Sequence, residues 1–233
     1  MKKAPLKMNI DDNALFGLNQ DHLNALGDGH FVNSQAQKNL TGLTQAAQAA
    51  GFSLKLASSF RPFERQLAIF NGKFNGIRPI LDLNADEVDI STMDDWQKCQ
   101  AILLYSALPG SSRHHWGTDF DFYDGKTLPN GYQLQLIEQE YTGNGPFTPL
   151  AQWLITHAGV HGFYFPYQQF NGGVASEPWH ISYYPLASQY LAQLTVKRLS
   201  VLIEHSQICA KATILANMDE IFSRYVNNIN DLT

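Results

Sequence analysis

Apolar positions recur along this chain with two different periods, and the changes from one to the other mark out its elements. Between Ser34 and Ala50, Leu40, Leu43, Ala47 and Ala50 fall three or four apart, the stripe of an amphipathic helix. Ser34 stands where an N-cap belongs and Gly51 where a helix stops. From Phe52 to Phe60 the period drops to two, with Leu54, Leu56 and Ser58 on one face of a strand. Pro62 then opens a second helix, where its missing N–H costs nothing, and Phe63, Leu67 and Phe70 form its stripe.

Residues 75–92 carry no period and read as a long excursion, a length at which loops commonly serve function. A helix is predicted over about 93–107, closed by Pro109 and Gly110, and a strand over 117–123, ended by Asp124 and Gly125. Thr148 and Pro149 begin a helix that turns Leu150, Trp153, Leu154 and Ala158 inward. Residues 162–166 and 179–184 read as two strands about a Gly172–Gly173 turn. The chain then reads as helical over 186–208 and again over 212–226, while residues 1–33 are polar, weakly periodic and read as an arm or loop on the surface. This order predicts an α+β fold, a small, mainly antiparallel sheet with flanking helices. Its parts are an N-terminal arm (1–33), a main domain (34–184) and a helical C-terminal extension (185–233) packed on that domain.

Composition narrows the classes. At 233 residues the chain is long enough for one sizeable core, and 44% hydrophobic with 16% charged residues is the balance of a folded protein. A net charge of -5 without a basic cluster argues against a nucleic-acid partner. No run approaches the roughly 18 apolar residues of a membrane span. The basic start, Lys2 and Lys3, meets Asp11 and Asp12 before an apolar segment can form. The expectation is therefore no signal peptide and a cytoplasmic location, or the periplasm if the sequence is a trimmed form. Cys99 and Cys209 stand far apart and read as buried apolar residues rather than a disulfide.

The candidate chemistry lies in two stretches, Ser112-Arg113-His114-His115-Trp116-Gly117-Thr118-Asp119-Phe120-Asp121 and Glu177-Pro178-Trp179-His180. Together they offer two imidazoles and a carboxylate for one metal ion with a coordination position left open, and a further carboxylate to move protons. On the predicted strand Asp119 and Asp121 share a face, so they either meet a cation or face solvent. Glu177 and His180, three apart across Pro178, read as a base beside a ligand or, taken alone, more simply as a partly buried histidine in an aromatic strand. No His-Glu-x-x-His occurs in the sequence. His115 adjoins His114 but neighbouring residues rarely aim at one ion. Arg61, between a strand and a helix, is a candidate two-pronged anion clamp or a surface ion-pair partner.

Taken together these residues resemble a family. Ser112-x-His114-x-x-Gly117-x-x-x-Asp121, followed by Glu177-x-Trp179-His180, is similar to the zinc D-alanyl-D-alanine carboxypeptidases of the VanY type, within the wider hedgehog-like group of zinc peptidases. Upstream, Ser58-Ser59-Phe60-Arg61 with Gln66 resembles that family's Ser-Gly-Tyr-Arg followed five residues later by Gln; the likeness spans roughly 52–184. The resemblance implies that His114, Asp121 and His180 hold one zinc ion and that Glu177 is general base, then acid. It also implies that Arg61 stabilises substrate oxygens at the scissile bond, with Gln66, Ser112 and Trp179 as pocket residues. Zinc would lower the pKa of its water from about 15.7 to near 7, and Glu177 would carry that proton to the leaving amine. The implied substrate is a peptidoglycan stem peptide or muropeptide losing a terminal D-alanine, with D,D- or L,D-specificity open. A D-Ala-D-Ala dipeptidase and a non-catalytic, zinc-stabilised binding module are the alternatives. The chain departs from the pattern at Ser59 (usually Gly), Phe60 (usually Tyr) and Asp119 (usually a small Ala), and Asp119 is a second candidate ligand.

Overall fold

The structure is a computed structural model that describes residues 10–128 and 130–230. Its elements follow the predicted order with three differences. First, the stretch before residue 34 is structured: α1 (Asp12–Leu15), capped by Asp11 accepting from the Ala14 N–H, precedes a hairpin of β1 (Leu23–Gly27) and β2 (His30–Asn33). Ile10, Leu15 and Phe16 are buried, so this part of the chain supplies core and is not a surface arm. Residues 1–9 of the predicted arm lie outside the described residues.

α2 (Gln37–Ala49), β3 (Leu54–Ser58) and α3 (Phe63–Phe74) stand as the periodicity predicts. Ala36 rather than Ser34 is the residue that precedes α2, and Pro62 precedes α3 in extended conformation. α4 (Asp95–Leu103) is shorter than its pattern at both ends; Asp94 and Gln97 close a reciprocal cap at its start. A single 3-10 turn, Arg113–Trp116, leads through Gly117 into β4 (Asp119–Asp124). The second difference is α5 (Glu138–Tyr141), one turn ahead of α6 (Thr148–His157). β5 (Phe163–Tyr164) and β6 (His180–Tyr183) pair with each other as expected.

The third difference is in the C-terminal extension, where one predicted helix is two. α7 (Tyr184–Gln193) ends at Leu194, whose backbone is extended, and Thr195 caps α8 (Val196–His205) by accepting from the Arg198 N–H. The helix predicted over 212–226 is likewise broken, into α9 (Lys211–Ala216) and α10 (Met218–Ile221) on either side of Asn217, with a π-helical turn over Phe222–Val226. Apolar spacing runs through the break between α7 and α8 because both helices bury residues in one cluster, with Leu186, Tyr190, Leu199 and Ile203 among them. Among the described residues no helix is long and apolar enough to cross a membrane.

The main sheet is antiparallel throughout, in the order β3-β4-β6-β5. Strand alternation gives β4 two opposite characters. Phe120 and Phe122, with Ile181 of β6, enter an apolar cluster under α2 and α6. Asp119, Asp121 and His180 take the other face, toward the turn that carries Trp116 and the helical half of the molecule. Two hydrophobic clusters thus sandwich a sheet whose second face is charged.

Candidate metal centre

Register builds the site. Asp121 stands opposite Ser58 on one side and His180 on the other, and Asp119 stands opposite Ser182. Cross-strand partners on one face lie within side-chain reach of each other, so Asp121 and His180 meet without any loop having to carry them. His114 arrives from the 3-10 turn. That turn can enter β4 only through a glycine: Gly117 has φ +67, and a Cβ there would fall 2.5 Å from Leu23 and 2.9 Å from the Asn33 backbone nitrogen. The β1–β2 hairpin packs against this point, where Asn33 donates to the Trp116 carbonyl and to the Tyr190 hydroxyl.

His114, Asp121 and His180 offer one ligand atom each, all within 4.8 Å of one another, and all three residues are buried. His114 Nδ1 donates to the Ser59 carbonyl at 2.9 Å, which leaves Nε2 to face Asp121 Oδ2 at 3.3 Å. His180 Nδ1 lies 3.1 Å from Asp121 Oδ1, and its Nε2 is 3.0 Å from Asp119 Oδ1. Each histidine is thus held through one nitrogen and presents the other to a common point, the arrangement metal-binding imidazoles need.

The electrostatics agree. Burial lowers the His114 pKa, so this ring is neutral and free to ligate. Burial also acts to lower that of His180, but the hydrogen bonds and charges of Asp119 and Asp121 outweigh it and push it up to about 10. Burial would raise the Asp121 carboxyl, yet His114 and His180 hold it far below the usual carboxylate range. Without a metal the cluster therefore draws a proton in between its carboxylates, and a divalent cation satisfies the same donors. The donor set fits a metal ion.

Glu177 sits on the turn before β6, its carbonyl accepting from the His180 N–H at 3.0 Å. That turn brings Glu177 Oε2 to 3.5 Å from His180 Nδ1. Burial pushes the Glu177 carboxyl up to about 8; His180 opposes this, Asp121 adds to it, and Arg61 and Lys73 oppose it. Arg61 is pinned at both prongs, Nη1 to Gln66 Oε1 and Nη2 to Ser58 Oγ, each at 2.9 Å. Its backbone N–H donates to the His114 carbonyl, and its own carbonyl accepts from His115 Nδ1 at 2.7 Å. His115 is fully buried, accepts from the Gly110 N–H at Nε2, and burial lowers its pKa to about 3. It is a neutral strut behind Arg61, aimed away from the metal donors.

These groups open onto a cavity of about 270 Å³ whose wall includes Arg61, Ser112, Glu177 and Trp179. Gln66, expected in the pocket, lies behind Arg61 instead; its amide donates to the Ala107 carbonyl and it does not reach the wall. Asp119 is fully buried, and its oxygens are taken by Arg113, Thr118 and His180. The wall also includes residues that the sequence did not single out for the pocket, among them Lys73, Arg113 and Tyr167. Lys73 follows Ile69 by four on α3, and both line the cavity, so the helical face after Arg61 carried that information. Among the described residues Lys73 forms no ion pair or hydrogen bond; burial lowers its pKa, and Glu177 opposes the shift. The far wall, residues 135–137, is held by the buried Glu140, which accepts from the Gln135, Leu136 and Ile137 N–H groups and the Tyr132 hydroxyl.

Comparison with known proteins follows this geometry. A protein of Haemophilus influenzae, described as uncharacterized, is 44% identical over 105 residues, spanning 43% of this chain and 72% of its own. The structure of the vancomycin-resistance D,D-pentapeptidase VanY, solved as an E175A mutant with Zn(II), superposes with a TM-score of 0.50 at 21% identity over 86% of this chain and 88% of that one. That of the LD-carboxypeptidase LdcB, described in terms of peptidoglycan recognition, gives 0.50 at 19% identity over 89% and 80%. At those identities the structures speak for the fold. The family model for VanY, D-alanyl-D-alanine carboxypeptidase, matches residues 29–186, well over half of the sequence and every residue of the site. This chain belongs to the VanY family of D-alanyl-D-alanine carboxypeptidases.

Proposed function

We propose that the protein is a zinc-dependent carboxypeptidase that removes a terminal D-alanine from peptidoglycan stem peptides. The observation that carries this reading is the convergence of His114, Asp121 and His180 with Glu177 on one buried point and with Arg61 on the wall of the same cavity. His114 Nε2, Asp121 and His180 Nδ1 would hold the ion, which when bound supplies a Lewis acid and a water acidic enough to ionise near neutral pH. Glu177 takes a proton from the attacking water and returns it to the leaving amine as the peptide C–N bond breaks. A structural metal site would need no such base, which disfavours a silent binding module. Arg61, fixed by Gln66 and Ser58 before substrate arrives, is pre-oriented to stabilise charge on the carbonyl oxygen.

Lys73 adds an unpaired positive charge to the cavity wall. A free terminal carboxylate on the substrate is its natural counter-charge, which would confine cleavage to chain ends. D,D- and L,D-specificity share this machinery and differ only in which stem peptide fits.

The test is to incubate zinc-loaded protein with pentapeptide and tetrapeptide stems, and with the pentapeptide amidated at its C-terminus, following free D-alanine. Release from one of the two acids, abolished by a chelator and absent with the amide, is expected. If neither acid is cut, the assignment fails; equal cleavage of the amide removes the carboxylate clamp.

A further inference from the structure

Beside the metal donors lies a buried charge pair, Arg113 with Asp119, that the proposed chemistry does not use. Arg113 Nε donates to Asp119 Oδ1 at 2.7 Å, and the Thr118 hydroxyl donates to Oδ2 at 2.6 Å. Arg113 Nη2 reaches the Ser182 hydroxyl at 2.7 Å and the Tyr164 hydroxyl at 3.0 Å, and its guanidinium lies over the Trp116 ring. Ser182 is also the register partner of Asp119 in the β4–β6 ladder. The pair is therefore tied to the sheet at both ends. Asp119 is also one of the three positions at which the sequence departs from the pattern it resembles.

We propose that Asp119, neutralised by Arg113, is a positioning residue for the metal centre: it grips His180 at Nε2 so that Nδ1 is the nitrogen offered to the ion. This rests on the metal reading above. Three observations carry it. The His180 Nε2 to Asp119 Oδ1 separation is 3.0 Å, a hydrogen bond on the side opposite Asp121 and Glu177. Both Asp119 oxygens are occupied by donors, so Asp119 does not compete with Asp121 for an ion. Without the guanidinium, two buried carboxylates two residues apart on one strand face would repel; with it, Asp119 acts on the ion only through the imidazole. A carboxylate accepting from the far nitrogen of a ligating histidine fixes its tautomer and raises its basicity, and its removal typically weakens metal binding about 10- to 100-fold.

The experiment measures zinc affinity by competition with a chromophoric chelator, beside thermal unfolding of the metal-free forms. The proteins are wild type, Asp119→Asn, and the double variant Arg113→Met with Asp119→Ala. The double variant removes both charges together, so it keeps the test open if a lone buried arginine unfolds the single variant. The expected result is about a 10- to 100-fold loss of zinc affinity in both variants, with the double variant's metal-free form still unfolding cooperatively. A folded double variant that binds zinc as tightly as wild type overturns the proposal and leaves a structural ion pair. Wild-type protein that takes up no zinc overturns the metal reading itself.

Discussion

The two faces of β4 are made of neighbouring residues and do opposite things. On one, Phe120 and Phe122 are fully buried and meet Phe163, Tyr141 and Phe165 edge-on, an arrangement that stabilises through apolar area and ring geometry. On the other, Asp119 and Asp121 are equally buried, and burying a carboxylate costs stability unless charge and hydrogen bonds compensate. The compensation differs between the two acids. Asp119 is answered from within the chain by Arg113 and Thr118, whereas Asp121 has only histidines, one of which must hold a proton to satisfy it. The difference supports the proposed assignment, in which the acid left to histidines would be the ligand and the acid given an arginine its support.

Breaking the apolar face should have the largest effect on folding and none on chemistry. Phe120→Ala is expected to cost about 3 to 5 kcal/mol in denaturant unfolding, as large-to-small changes at fully buried aromatics do. Zinc affinity in the protein that remains folded should be unchanged. A loss of zinc affinity in folded Phe120→Ala protein would show that the two faces are not independent.

A smaller effect sharpens the charged side. His115 in the unfolded chain takes up a proton near pH 6.5, but burial holds the folded residue neutral to about pH 3. Between those values the unfolded state binds more protons, so stability falls as the pH falls through that window. Gln can keep the bonds to the Arg61 carbonyl and the Gly110 N–H without titrating. In metal-free protein, wild type should therefore lose about 2 to 3 kcal/mol more than His115→Gln on going from neutral pH to about pH 4.5, at roughly 1.36 kcal/mol per unit. Parallel stability curves for the two proteins would remove His115 from that role.

Much of this was legible in the sequence, for physical reasons that can be named. β4 and β6 alternate strictly, so the shared face of Asp119 and Asp121 and the reach of His180 followed from a period of two. Arg61 stood at a strand-to-helix junction that the structure retains. The hairpin of β1 and β2 was not legible, because its strands are short, their burial does not alternate, and they are fixed by Asn33 and by close packing on Gly117. The break between α7 and α8 was hidden, since helices on both sides of Thr195 bury the same kind of stripe. Arg113 and Asp119 meet across a 3-10 turn and a glycine, a contact that neither helical nor strand spacing encodes. Gln66 had the right partner and the wrong place: its tie to Arg61 follows helix geometry, but which of the two reaches the cavity depends on packing against residue 107.

The central claim is that the charged face of this sheet is a metal-dependent hydrolytic site in which Glu177 moves the proton. The most direct measurement is zinc content and D-alanine release, taken together, for wild type and Glu177→Gln. Because Glu177 lies beside His180 and outside the three-residue ligand set, the variant should keep one zinc per chain. It should lose at least about two orders of magnitude in rate, as removal of a general base does. A zinc-loaded Glu177→Gln protein that releases D-alanine at the wild-type rate would contradict the account.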